Sequence, residues 1–258
     1  MNMSKPSVAE VRAGGQPEGI KERRNEEHWA GRLYMRDVSP YVSTVFVRMG
    51  VPPNPITYLM MAFGVLAGVV LAFGGLWSAV LAAVLVQVYL LLDCSDGEVA
   101  RFTGRTSVAG IYLDRIGHYL AEIALLIGLG IRAQGGFEAG GWVIAGMAAA
   151  LGAALIKVET DNVVVARAKA GLGEHVSEAA MQPRSAGLGL ARKAASALRF
   201  HRLIQAVELS LVVVVIAIVD AVRGDLLATQ VLTAACVAVA ALQTVLHLVS
   251  VLASRRLH

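Results

Sequence analysis

Long runs of apolar residues fill the chain from about residue 50 onward. The run 56–92 contains no Asp, Glu, Lys or Arg, and Gly74-Gly75 interrupts it, so we interpret it as two helices joined by a tight hairpin. A membrane-spanning helix needs about 20 mostly apolar residues. Further stretches of suitable length and composition are 108–131, 142–158, 203–222 and 226–253. The pattern therefore predicts an all-α fold, an integral membrane bundle of six transmembrane helices.

The first 50 residues precede the apolar runs, and their composition changes near residue 29. Residues 1–28 are rich in glycine and charge, and we expect them to form a disordered cytoplasmic tail. Residues 29–50 mix apolar and aromatic side chains with arginine, which predicts an interfacial amphipathic helix interrupted near Pro40. A plain juxtamembrane linker is the alternative. The six-helix domain then covers 51–253, and 254–258 form a second cytoplasmic tail.

Composition and charge support a membrane protein with a defined orientation. The chain is 56% hydrophobic and only 16% charged, which excludes an ordinary soluble domain. All of the 23 lysines and arginines except Arg132 and Arg223 fall on one side of the predicted bundle, including a long loop at 159–202 with two short helices. The positive-inside rule makes that side cytoplasmic, with both termini, in the cell (inner) membrane. The first 50 residues contain no segment typical of a signal peptide, so we expect helix one to enter from the cytoplasm.

Neither the net charge nor the cysteines indicate another function class. The net charge of +4 follows from topology and contact with anionic lipid, so no nucleic-acid partner is expected. Two cysteines are too few for a disulfide framework or a zinc site. Gly64 and Gly68 form a GxxxG pair on the first predicted span, which allows a second helix to approach closely. That second helix can belong to the same chain or to another subunit.

Acidic side chains stand at the junction of the second and third predicted helices. Asp93 and Asp96 are three residues apart, and Asp114 and His118 are four apart, so each pair shares a helix face. Two antiparallel helices joined by a short loop can direct both faces to one point. Three converging carboxylates repel one another unless a cation lies between them, and oxygen ligands suit Mg²⁺ or Mn²⁺. The arrangement predicts a metal site suited to phosphoryl chemistry.

The same residues carry a family resemblance. The pattern D-G-x2-A-R-x8-G-x3-D-x3-D, preceded by a further Asp, is the signature of the class I CDP-alcohol phosphatidyltransferases. The chain resembles this family over about residues 50–250, including P-N-x-x-T at 53–57, at the start of helix one. The matching positions of the signature are Asp93, Asp96, Gly97, Ala100, Arg101, Gly110 and Asp114.

The resemblance implies a fold, a reaction and a set of roles. A CDP-linked donor, usually CDP-diacylglycerol, binds at the cytoplasmic mouth, an acceptor alcohol attacks its phosphorus, and CMP leaves, as in phospholipid biosynthesis. It also implies a homodimer and two divalent metals, Mg²⁺ or Mn²⁺. The implied metal ligands are Asp93, Asp96 and Asp114. The implied donor contacts are Asn54, Thr57, Gly97, Ala100, Arg101 and Gly110.

One position departs from the family pattern. The last Asp of the signature, the base that deprotonates the acceptor, is His118 here. Histidine can act as a base near neutral pH, and as a metal ligand it favours Mn²⁺ over Mg²⁺ and could leave a single metal. Glu122 could supply the missing carboxylate. Alternatively, His118 is a packing residue in a weakened or inactive homologue that binds a CDP-lipid or a metal. A small transporter is disfavoured because the charges cluster at one membrane face.

Overall fold

The computed structural model of the chain describes residues 5–20, 29–172, 200–254 and 257. Within these ranges the structure is helical, without strands. A π-helical turn precedes α2 and a 3₁₀ turn precedes α7; they span Gly31–Met35 and Phe200–Ile204. The α-helices are α1 (Val8–Gly15), α2 (Arg36–Met49), α3 (Pro53–Ala72), α4 (Gly75–Thr103), α5 (Val108–Gln134), α6 (Gly141–Lys169), α7 (Ala206–Arg223) and α8 (Leu227–Ala253).

The all-α class is confirmed, and five helices of the described chain are long and apolar enough to cross a membrane: α3, α4, α5, α6 and α8. The predicted fifth span is present as α7, which is 18 residues long but carries Glu208, Asp220 and Arg223. The outer surface of the bundle is apolar in the manner expected of a lipid-facing surface. Its exposed side chains include Leu66, Val69, Leu81, Val84, Ile144, Leu151, Val215, Ile218, Leu242 and Val245.

The ends of the helices differ in places from the sequence expectation. The break at Gly74-Gly75 is confirmed, since α3 ends at Ala72 and α4 begins at Gly75. The helix predicted at 142–158 continues to Lys169, because alanines and valines extend its helical sequence beyond the apolar run. The loop predicted from 159 therefore begins later. Two short helices were predicted within the 159–202 loop, and most of that loop, residues 173–199, lies outside the described residues.

The expectation of disorder over 1–28 is wrong for part of that range. Residues 8–15 form α1, which begins with a capping box between Ser7 and Glu10. The Ser7 backbone N–H, and then its hydroxyl, donate to the Glu10 carboxylate and hold the pKa of Glu10 below its usual value. Helix α1 packs against α2 and α4, and this packing supplies the stability that its polar sequence lacks. Residues 1–4 and 21–28 lie outside the described residues.

Helix α2 has its polar face inside and its apolar face outside. The predicted interruption near Pro40 is not observed, because α2 is continuous from Arg36 to Met49 and the irregular turn precedes it. Ser39, Pro40, Ser43 and Thr44 are buried against the bundle. The opposite face exposes Val38, Tyr41, Val45 and Met49. These positions recur at helical spacing and form one apolar stripe.

Helices α3 and α5 approach each other closely through glycine. A Cβ atom added at Gly68 would lie 2.3 Å from the backbone carbonyl of Ala124, and one at Gly128 would lie 2.2 Å from the carbonyl oxygen of Gly68. One at Gly64 would lie 2.7 Å from Cβ of Ala121. The helix that meets the GxxxG pair is therefore α5 of the same chain.

This contact predicts the effect of one added methyl group. Gly68→Ala forces the backbones of α3 and α5 apart, and overpacking of this kind typically costs about 1–3 kcal/mol. We expect a lower unfolding temperature in detergent, measured by the reaction of a thiol-specific dye with the buried Cys94 and Cys236. Gly141→Ala is the matched control, since no atom lies within 4 Å of the Cβ it would add. Equal unfolding temperatures for the two variants would contradict the packing assignment.

Candidate metal and substrate site

The signature residues surround a gap between α4 and α5. Helix α4 ends at Thr103, and Ser107 begins α5 by accepting a hydrogen bond of 3.0 Å from the Gly110 backbone N–H. The connection is therefore short, as predicted. Both helices pack extensively on α3, whereas they make few direct contacts with each other. Side chains from α4 and α5 consequently meet across a space whose third wall is α3.

Three of the predicted metal ligands converge in this gap. The Nε2 atom of His118 lies 3.2 Å from Oδ1 of Asp93 and 3.5 Å from Oδ1 of Asp114. The potential ligand atoms of the three residues all lie within 4.8 Å of one another. Two carboxylates and one imidazole at this separation can hold a divalent cation between them. The substituted residue His118 thus takes part in the cluster and does not simply pack beside it.

A residue that we did not predict, Tyr89, orients His118. Its hydroxyl and Nδ1 of His118 are 2.5 Å apart, and the Tyr89 side chain is buried. This hydrogen bond fixes the ring so that Nε2 faces the two carboxylates. Tyr89 lies four residues before Asp93 in α4 and thus on the same helix face. That spacing is the sequence signal that could have identified it.

The fourth predicted ligand, Asp96, is held by α3. The Thr57 hydroxyl donates a hydrogen bond of 2.6 Å to Oδ2 of Asp96, which is buried. Thr57 was predicted to contact the donor; in the structure its hydroxyl binds a carboxylate, and the residue also lines the cavity described next. Asp96 is not one of the three residues that form the closest group of potential ligands.

A cavity of about 480 Å³ opens over these residues. Its volume falls in the range of about 300–1,000 Å³ that is common for small-molecule sites. Three cationic side chains, Arg36, Arg105 and Lys157, also line it. Each of the ten residues predicted for the site lines the cavity: Asn54, Thr57, Asp93, Asp96, Gly97, Ala100, Arg101, Gly110, Asp114 and His118.

The structure does not add Glu122 to the cluster of potential ligands. Its carboxylate lines the cavity, but Oε1 lies 3.0 Å from Nζ of Lys157. The Lys157 ammonium also lies 5.6 Å from the centre of the Tyr119 ring. Glu122 is therefore neutralised by a neighbouring cation, and it is absent from the group formed by Asp93, Asp114 and His118.

The chain is similar in sequence to two known proteins over part of its length. Over 125 residues the chain is 30% identical to the bifunctional IPC transferase and DIPP synthase of Aquifex aeolicus, covering 48% of this chain and 26% of that protein. Over 82 residues it is 38% identical to the archaetidylinositol phosphate synthase of Aeropyrum pernix, covering 32% of this chain and 41% of that protein. The matches thus span about a quarter and two fifths of these relatives.

A family model provides the broader match. The model described as CDP-alcohol phosphatidyltransferase aligns with residues 51–255, a range that begins just before α3 and ends just after α8. This range contains all ten predicted site residues and the gap between α4 and α5. The chain belongs to the CDP-alcohol phosphatidyltransferase family.

Proposed function

We propose that the protein is a membrane phosphotransferase of phospholipid biosynthesis. It moves a substituted phosphate, such as a phosphatidyl group, from a CDP-linked donor such as CDP-diacylglycerol to an acceptor alcohol and releases CMP. The convergence of Asp93, Asp114 and His118 inside a cavity lined by the signature residues is the observation that carries this proposal. Membership of the CDP-alcohol phosphatidyltransferase family supports it.

Asp93, Asp96 and Asp114 are the groups that would hold divalent metal in this site. Nε2 of His118 would complete the set in the resting enzyme and would have to leave the metal to act as the base, because it has a single lone pair. We assign two ions, Mg²⁺ or Mn²⁺, to this set, in keeping with the use of divalent metals in the family. Bound there, such ions neutralise charge on phosphate oxygens during phosphoryl transfer. The hydrogen bond from Thr57 uses one of the roughly four lone pairs of the Asp96 carboxylate, so acceptor sites remain on Asp96 for a metal.

The donor occupies the part of the cavity that the α4–α5 loop and the start of α3 enclose. Arg101 and Arg105 supply positive charge for its diphosphate, since guanidinium groups pair well with phosphate oxygens. The guanidinium of Arg101 lies directly over Gly97, where an added Cβ would come within 2.9 Å of it. Small residues at Gly97, Ala100 and Gly110 leave room for the nucleotide beside the backbone.

His118 is the base in this proposal. With its Nδ1 proton donated to the Tyr89 oxygen, Nε2 keeps a lone pair that can accept the proton of the acceptor hydroxyl. The alkoxide oxygen then forms a bond to the phosphorus that carries the lipid group, and the bond from that phosphorus to the CMP oxygen breaks. Asp93 and Asp114 stabilise the imidazolium that results.

The membrane arrangement completes the proposal. Helix α7 is the fifth of six spans in chain order and adds to the five long apolar helices, with Glu208 paired to Arg202 at a distance of 3.5 Å. The apolar stripe of α2, formed by Val38, Tyr41, Val45 and Met49, lies on the bilayer interface and faces the acyl chains. The site then opens to the cytoplasmic face of the cell membrane, with both termini on that side and the protein assembled as a homodimer.

Release of CMP tests the reaction. Purified protein in detergent is supplied with CDP-diacylglycerol, Mg²⁺ or Mn²⁺ and a panel of acceptors: inositol phosphate, glycerol phosphate, serine, inositol and phosphatidylglycerol. Inositol phosphate is included because one relative is named as an archaetidylinositol phosphate synthase. We expect metal-dependent release with at least one acceptor. Absence of CMP release with every acceptor, together with absence of CDP-diacylglycerol binding, would refute the proposal.

Asp96→Asn tests the carboxylate set. The substitution keeps the shape of the side chain and removes its charge, so we expect CMP release to fall at least about 100-fold, as when one preorganised electrostatic contact is lost. Asp225→Asn is a control, because that carboxylate pairs with Arg223 in the loop before α8. The unfolding temperatures of both variants in detergent verify the fold. Undiminished CMP release by the Asp96→Asn variant would show that Asp96 is not a metal ligand.

His118→Asp restores the residue of the family signature. Carboxylate is a better ligand than imidazole for Mg²⁺, so we expect the ratio of activity with Mg²⁺ to activity with Mn²⁺ to rise. The measurement is the rate of CMP release over a titration of each metal. An unchanged ratio would show that His118 does not contact the metal during turnover.

Tyr89→Phe tests the orientation of His118. Loss of the hydrogen bond to Nδ1 frees the ring, and substitutions of such supporting residues cost roughly 10–100-fold in metal affinity or activity. We expect weaker Mn²⁺ binding, measured by electron paramagnetic resonance of the free ion. Tyr34→Phe is the control, because its hydroxyl donates to Gln87 on α4, away from the cluster. Equal Mn²⁺ affinity for the two variants would argue against an orienting role.

A further inference from the structure

A buried glutamate outside the cavity joins three parts of the molecule. Glu98 has no exposed surface and follows Asp96 by two residues. Its carboxylate accepts hydrogen bonds from the hydroxyls of Ser39 at 2.5 Å and Ser43 at 2.6 Å, both on α2. It also accepts one of 2.8 Å from Nε2 of Gln16, just after α1. A buried carboxylate with this many donors defines the positions of the segments that supply them.

The segment of residues 7–16, which we name the N-terminal strap, also binds an arginine of the cavity. The backbone oxygen of Gly15 accepts a hydrogen bond of 2.5 Å from Nε of Arg101. Nε2 of Gln16 donates a second bond, of 2.7 Å, to the backbone oxygen of Arg36. The strap therefore contacts two of the cationic residues that line the cavity.

The end of the strap packs tightly against the backbone of α4 at Gly15, so a Cβ added there would require a shift of a few tenths of an ångström. A Cβ there would lie 3.0 Å from the backbone oxygen and 3.2 Å from Cα of Glu98. A Cβ at Gly14 would lie 2.9 Å from the ring of Phe102, a side chain that can turn aside. The neighbouring glycines thus differ in what they contact, backbone in one case and a movable ring in the other.

We infer that the N-terminal strap is part of the donor site, in which Gly15 holds the Arg101 guanidinium over Gly97 for the diphosphate of the CDP-linked donor. The inference rests on the proposed function for the identity of the donor. The hydrogen bond to the Gly15 oxygen uses Nε, so the two terminal nitrogens of Arg101 remain on the side of Gly97 and the cavity. Gly15 and Gln16 are positioning residues, and neither lines the cavity.

Holding Arg101 in place before the donor arrives strengthens donor binding by preorganisation. An arginine side chain that is already fixed loses less conformational entropy when a phosphate binds to it. The strap lies outside residues 51–255, the range matched by the family model, so the CDP-alcohol phosphatidyltransferase domain alone does not contain it. The segment that holds Arg101 in place therefore lies outside the domain that the family model describes.

The test is the affinity for CDP-diacylglycerol, measured as equilibrium binding in mixed micelles without acceptor. Gly15→Ala displaces the carbonyl that holds Arg101, so we expect the dissociation constant to rise about 3–10-fold, the factor typical for ordering one long side chain. Gly14→Ala is the matched control and should bind like the unmodified protein. If Gly15→Ala does not fold, Gln16→Met removes both hydrogen bonds of Gln16 without a backbone clash and should weaken binding in the same direction.

A double variant distinguishes a positioning role of Gly15 from general destabilisation of the donor site. With lysine at position 101 the Nε donor is absent, so adding Gly15→Ala to Arg101→Lys should cause no further loss of donor affinity. Equal affinity for Gly15→Ala and Gly14→Ala, or losses that simply add in the double variant, would overturn the inference. Binding of the donor without CMP release would still allow the inference about the strap to be tested, and would point to a different acceptor or to a homologue that only binds the donor. Absence of donor binding by the unmodified protein would refute both.

Discussion

The close packing of α3 against α5 is the constraint on which the site depends. Gly68 and Gly128 bring the two backbones into contact, and α4 packs on another side of α3. Because α3 occupies the position between them, α4 and α5 are held apart at their polar ends and a cavity remains. Thr57 on α3 then reaches Asp96 on α4. The same helix therefore sets the width of the gap and fixes one of its carboxylates.

Satisfaction of buried polar groups is the second organising principle. An unpaired charge is costly in or near a bilayer, so each buried carboxylate requires donors from the protein. Glu98 obtains them from α2 and the N-terminal strap, and Glu122 obtains an ammonium from α6. At the other end of the bundle, Asp220 accepts from the backbone N–H groups of Ala228 and Thr229 at the start of α8. The carboxylates thus join neighbouring helices.

His118 stands where the family signature has its last aspartate. Its side chain still meets Asp93 and Asp114, but it brings an imidazole to the cluster in place of a carboxylate. Imidazole is longer than the aspartate side chain, and its second nitrogen needs a partner of its own. Tyr89 supplies that partner from α4, so the ring is held at both ends. The Nε2 side of the ring faces Asp93 and Asp114, the two other members of the group of potential ligands. The described geometry therefore favours participation of His118 in the site over a packing role.

The sequence by itself determined the helical class, the hairpin at Gly74-Gly75 and ten of the residues that line the cavity. The class, the hairpin and the paired acidic positions follow from local patterns: apolar run length, turn glycines and spacing along one helix face. The remaining cavity residues were implied by the resemblance to the family signature. The tertiary structure alone decided the partner of Gly68, the hydrogen bond from Thr57 to Asp96, the pairing of Glu122 with Lys157 and the order of α1. Each of these is a contact between segments distant in sequence, and its energy comes from the partner's packing and charge. The periodicity of the sequence indicates which face of a helix is polar. The residues that this face contacts are determined only when the helices pack together.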